Sequence, residues 1–255
     1  MRRITIVGLA LTCLVTCSAG GATSALAANP APEFGRCLKK ATPGGAGYSD
    51  GKCTKGVSSG AKTEWTNTIV KSHFTIAIQE GTDAVFRTVD GFRLTCRGAS
   101  GSGEIANAKE LANVVIAFTG CEGYPCLGMP QETVTNPLSG VIGLATESSN
   151  LASERVAQEL HGPGKGNLVE FACGPGSVLT RGSLLARPIA DRMVASALEK
   201  LTAGKGEQQP EHFAGGGLDE HTLEMSVLSK PFEEAGLSLT YTVTFEEPIE
   251  VNTVV

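Results

Sequence analysis

The sequence predicts a mainly β protein, an antiparallel β-sandwich or barrel with many short strands and at most one or two short helices. Three observations carry that reading. Apolar and polar residues alternate along most of the chain, the period of a strand with one buried side, and helical spacing is rare. Glycine is abundant, at 32 of 255 residues, and it gathers between the alternating runs, where a chain must reverse with positive φ. The runs are also short and separated by turn signals at every step, as in sandwiches and up-and-down barrels.

Taken in order, the runs are HFTIAI (73–78), AVFRTV (84–89), GFRLTC (91–96), NVVIAF (113–118) and VIGLAT (141–146). NLVEFAC (167–173), GSVLTRGSLL (176–185), HTLEMSVL (221–228) and LSLTYTVTF (237–245) complete the set. The last is the cleanest: Leu239, Tyr241, Val243 and Phe245 fall on one face, and Thr240, Thr242 and Thr244 on the other. GASGSG (98–103), GPGKG (162–166) and AGGGLD (214–219) read as the intervening turns. One stretch, DRMVASALEKLTAG (191–204), has helical spacing of Met193, Val194, Ala197, Leu198 and Leu201, with Asp191 as cap and Gly204 as stop.

The N-terminus sets the compartment. Arg2 and Arg3, an apolar run from Ile4 to Val15 and the closing Ala25-Leu26-Ala27 have the order of a secretory signal peptide cut after Ala27. The run is too short to remain as a membrane span. Residues 28–255 then form one disulfide-stapled β-rich domain, with 127–140 as the place where a division would fall. Losing Arg2 and Arg3 leaves 19 basic against 26 acidic residues, a net charge of −7. Such a surface repels nucleic acid and anionic membranes.

Six cysteines survive cleavage, and in an oxidising compartment they read as three disulfides chosen from 15 pairings. Cys37 and Cys53 flank a Gly-rich loop. Strand parity turns Cys96 and Cys173 toward the core, so they are paired here, and Cys121 with Cys126 closes the tight turn CEGYPC. A metal site would want a second close Cys/His pair, and a redox pair would want two intervening residues at a helix start. Neither pattern is present, and no cofactor motif is seen.

Several stretches resemble a known group: PEFGRC (32–37), NVVIAFTGCE (113–122), VTNPLSGVIG (134–143), LVEFACG (168–174), QPEHFAGG (209–216) and the terminal PFEEAGLSLTYTVTFEEPIEVNTVV. These are similar to the landmarks of a family of uncharacterised exported proteins of high-GC Gram-positive (actinobacterial) soil bacteria. The resemblance brings no activity, ligand or catalytic residue. It implies an extended rather than helical segment around Met193–Leu201.

Catalytic patterns fail on context. GYSDG (47–51) matches G-x-S-x-G at Ser49, but a nucleophile elbow needs a buried strand before it and a helix after it. His73, His161, His212 and His221 are scattered. The doublets Glu233-Glu234 and Glu246-Glu247 each send neighbouring side chains to opposite faces of a strand, so each offers a cleft at most one carboxylate. GPGKGN lacks the Ser/Thr and the helix of a phosphate loop. A carbohydrate platform would use aromatics, and the chain has one Trp, three Tyr and nine Phe. Trp65, Tyr48 and Tyr124 are the candidates for a contact surface. Two functions follow: an exported non-catalytic module, structural or binding an extracellular or cell-wall ligand, or a secreted hydrolase whose site no local motif reveals. A cleft with converging, perturbed acid–base groups would favour the second.

Overall fold

The computed structural model describes residues 32–67, 72–146, 155–174, 176–187, 193–204, 206–209, 212–214 and 223–252. Residues 1–31, where the signal peptide and its cleavage are expected, Asp191, His221 and most of the AGGGLD stretch lie outside them.

Alternation builds an antiparallel meander. β5 (Ser72–Ile78) and β6 (Ala84–Thr88) run end to end between two long strands, β7 (Arg93–Ile105) on one side and β18 (Glu233–Asn252) on the other. β7 pairs with β8 (Glu110–Glu122), and β8 with the collinear β9 (Glu132–Val134) and β10 (Leu138–Thr146). β10 pairs with β11 (Arg155–His161), which is continued by β12 (Asn167–Cys173), and both lie against β13 (Gly176–Arg187). β13 then meets β14 (Val194–Gly204) and β17 (Leu223–Val227), and these return to β18. The described ladders therefore close on themselves: the last strand of the meander bonds to the first, which is a barrel.

Parity decides what fills it. On β18, Leu237, Leu239, Tyr241 and Val243 are buried, while Thr244 is exposed. The interior is packed, with Phe86, Phe118 and Phe171 from three strands in mutual contact at centroid separations of 5.2, 5.2 and 5.9 Å. On β18 the apolar side faces in and the threonines face out, the inverse of the alternation in a lipid-facing strand. No helix among the described residues is long and apolar enough to cross a membrane. A second cluster, Ala145, Ala157 and Leu185, is covered from outside by Phe213 of β16 (His212–Ala214), while β15 (Glu207–Gln209) folds back antiparallel on the end of β14.

One barrel end is closed by the N-terminal segment. β1 (Glu33–Lys39) pairs with the end of β18, then leaves to pair with β4 (Thr63–Thr66). β2 (Gly47–Tyr48) and β3 (Gly56–Val57) complete this flap, which Cys37–Cys53 crosslinks as expected. Phe34, 1% exposed, plugs the opening, and its N–H donates to the Ala108 carbonyl at 2.7 Å.

Three expectations are corrected. GASGSG is not a turn but the middle of β7. Its glycines permit close approach: a Cβ on Gly103 would stand 2.5 Å from the Phe74 ring, and one on Gly101 would strike the Val115 carbonyl. The helix proposed for 191–204 is β14 over its described residues 194–204, in line with the extended segment that the resemblance implies. Ala197, Glu199 and Leu201 point inward, while Leu198 is 51% exposed. An acid on the buried face and a leucine on the outer one disguise the period of two. Finally, Cys96–Cys173 and Cys121–Cys126 are not formed; the bonds are Cys96–Cys121 and Cys126–Cys173. Cys96 lies directly opposite Cys121 in the β7–β8 register. Cys126, past the turn, reaches the end of β12 instead. Parity had turned Cys96 inward correctly, but β12 lies across the barrel from β7.

Candidate functional site

Two places gather groups able to do chemistry or bind. The first is inside the barrel. Glu199 of β14 and Tyr241 of β18 are register partners, and both side chains point inward. The Tyr241 hydroxyl donates to Glu199 Oε2 at 2.7 Å, and Gln158 Nε2, from β11, donates to Glu199 Oε1 at 3.0 Å. The surroundings are apolar, including Phe34, Phe74, Ile76, Val114 and Phe245. Burial therefore pushes the Glu199 carboxyl up to about 7, against the opposing pull of its hydrogen bonds from Tyr241 and Gln158. Burial, and then the neighbouring carboxylate, holds the Tyr241 phenol well above its ordinary value. A perturbed acid of this kind is what the hydrolase reading asks for. The adjoining void, however, is only about 10 Å³, at the lower limit for a single water. The triad can hold a proton but has no room for a substrate.

The second place is at the opposite barrel end from Phe34. An open groove of about 460 Å³ runs between the β6–β7 turn, the loop after β8 and the β17–β18 turn. That volume falls within the range of small-ligand sites. On one wall stands Tyr124, 84% exposed. Its loop is clamped on both sides: Cys121 is bonded to Cys96 and Cys126 to Cys173. Backbone bonds tighten it further, with a Gly123–Cys126 bridge and the Gly174 N–H donating to Leu127 O at 2.7 Å. The facing wall carries Phe232, held by the Arg181 guanidinium 3.9 Å above its ring; Arg181 Nε in turn donates to Glu224 at 2.7 Å. Between them lies the tight turn at Asp90-Gly91, where Gly91 adopts φ +94°, followed by Phe92. Asp90, Lys230 and Glu233 supply charge around the rings.

No family model, curated protein or solved structure matches this chain. The site is therefore read from its own residues.

Of the three aromatic candidates, Tyr124 lies in the groove, and the other two sit in the flap at the far end. Tyr48 is half-buried on β2. Trp65 on β4 lies against Gly35, where an added Cβ would collide with its ring, and its Nε1 is buried. Ser49 is exposed in the β2–β3 hairpin, and its hydroxyl donates to Lys55 O at 3.3 Å. The neighbouring Asp50 carboxyl is lowered chiefly by the Thr54 hydroxyl. His73 is exposed on β5, and His161, at the end of β11, has Nδ1 3.3 Å from Gly162 O. The side chain of His212 and all of His221 lie outside the described residues. Glu233 lines the groove while Glu234 is exposed, and Glu247 pairs with Arg36 at 2.5 Å. Among the described residues, no three His, Cys, Asp or Glu side chains gather as a metal site.

Sequence reasoning missed Phe92, Phe232 and the Glu199 triad. One signal was available for the triad. Tyr241 stands on the buried face of the clearest strand, and a buried phenol needs an acceptor.

Proposed function

We propose that the protein is exported after removal of residues 1–27 and works without catalysis, as an extracellular or cell-envelope module that binds a ligand in the Tyr124 groove. The carrying observation is an aromatic side chain 84% exposed on a loop clamped by two disulfides. A ring offered to water on a rigid support binds at low entropic cost, because little ordering remains when the partner arrives. Its walls are fixed in advance by the Arg181–Phe232 contact and by the two turns. Export is supported by the signal-like N-terminus and by three disulfides, which persist in oxidising compartments.

Three measurements test the reading. N-terminal sequencing of the protein recovered from medium or envelope is expected to begin at Ala28, and retention of Met1 on cytoplasmic protein contradicts it. Mature protein is expected to bind envelope preparations, with binding lost in Tyr124→Ala. Turnover of ester, peptide or glycoside substrates by the wild type overturns the non-catalytic reading.

A further inference from the structure

Resting on that reading, we infer that the groove takes a neutral saccharide. The Tyr124 ring, 84% exposed, offers flat apolar surface of the kind that covers the C–H face of a sugar, and Phe92, packed against the core, and Phe232, with Arg181 over its ring, line the groove beside it. Around them, Asp90 and Glu233 are hydrogen-bond acceptors, and Lys230 and the Tyr124 hydroxyl are donors. This pattern distinguishes between the two ligands that aromatic grooves commonly receive. A proline-rich polypeptide lacks N–H groups at proline and presents carbonyl oxygens, which need donors; rim carboxylates repel them. Sugar hydroxyls both donate and accept, so they satisfy carboxylates and the ammonium alike.

Charge narrows the class further. Counting the Arg181–Glu224 pair behind Phe232, three carboxylates (Asp90, Glu224 and Glu233) stand against two cations (Lys230 and Arg181), on a chain whose net charge is −5 over its full length. An anionic polymer such as a polyphosphate-backbone glycan or a uronic acid chain would meet repulsion. The groove volume of about 460 Å³ suits a short stretch of a neutral glycan.

The test uses the full mature, oxidised protein. Retention is measured on chitin, cellulose and xylan, and on immobilised decaproline, for the wild type, Tyr124→Ala, Asp90→Asn with Glu233→Gln, and Tyr48→Ala. The expected result is retention of the wild type on at least one of the glycans, little changed by salt. Tyr124→Ala should weaken it about tenfold or more, as for an aromatic hot spot. The double amide variant should weaken it less, and Tyr48→Ala not at all. Circular dichroism of each variant confirms that the fold is kept. Retention on decaproline alone, lost in Tyr124→Ala, overturns the saccharide while keeping the groove. Glycan retention equal in the wild type and Tyr124→Ala overturns the groove as its site. No retention on any glycan overturns the saccharide, and the envelope-binding assay with Tyr124→Ala then decides separately whether the groove binds anything.

Discussion

At Glu199 a single carboxyl couples the barrel core to pH. Its ordinary value is 4.5 and its buried value about 7, so between these the folded protein holds a proton that the unfolded chain has released. Stability therefore falls as pH rises from about 4.5 to 7, and is flat on this account above that. The full difference is on the order of 3 kcal/mol, at 1.36 kcal/mol per pKa unit. Urea midpoints of the wild type are expected to drop across this window relative to those of Glu199→Gln, which keeps the partners of the side chain and cannot ionise. Parallel curves for the two proteins would show that Glu199 does not titrate there. The aromatic core makes a second residue-scale demand. Phe118 is 1% exposed and touches both Phe86 and Phe171. Phe118→Ala should cost about 3–5 kcal/mol, read as a lowered denaturation midpoint.

Among the elements, β14 shows tertiary pairing overriding local preference. Ala, Leu, Glu and Lys are good helix formers, yet β18 and β13 offer this segment hydrogen-bonded neighbours on both sides. The strand assignment separates two leucines that a helix would place on one face. Leu201→Ala should cost about 2–5 kcal/mol, while Leu198→Thr should change stability by no more than about 0.5 kcal/mol. Chemical denaturation of both variants checks this, and comparable losses would contradict the strand. The loop carrying Tyr124 depends on its crosslink in the same way. Cys126 and Cys173 are 47 residues apart, and closing a loop of that length is worth about 4 kcal/mol in the chain-entropy model. The short Cys121–Cys126 loop would have been worth only about 2 kcal/mol. A Cys126→Ser, Cys173→Ser double variant is expected to lose that stability and, because its ring is no longer held, to weaken ligand retention as well.

Across the whole molecule, the barrel has one end sealed by a separate segment and the other open as a groove. Phe34 joins the two features of the sealed end, since it plugs the opening and lines the void beside Glu199. Phe34→Ala is expected to lower stability by about 3–5 kcal/mol and to admit water, which returns the Glu199 carboxyl toward 4.5. Carboxyl NMR of the folded variant reads that shift directly. An unchanged titration would mean that the carboxyl is shielded by the Phe74 and Phe245 side rather than by the plug. The open end is built from three chain reversals brought together only by closure of the ladder, at residues 89–92, 123–126 and 228–232.

The β class, most strand positions, the inward parity of Cys96 and Tyr241 and the Cys37–Cys53 bond were legible in the amino-acid order, because alternation and short loops are local properties. So was Tyr124 as a candidate contact. What only the tertiary structure decided is whatever depends on closure. Pairing partners for Cys121 and Cys126 follow from which strands become neighbours. The strand at β14 was hidden because its inward Glu199 is tolerable only beside Tyr241 and Gln158, from strands 42 and 41 residues away. Phe92 and Phe232 join Tyr124 in one groove for the same reason: residues far apart in sequence share a site when a meander of strands bonds its last edge to its first.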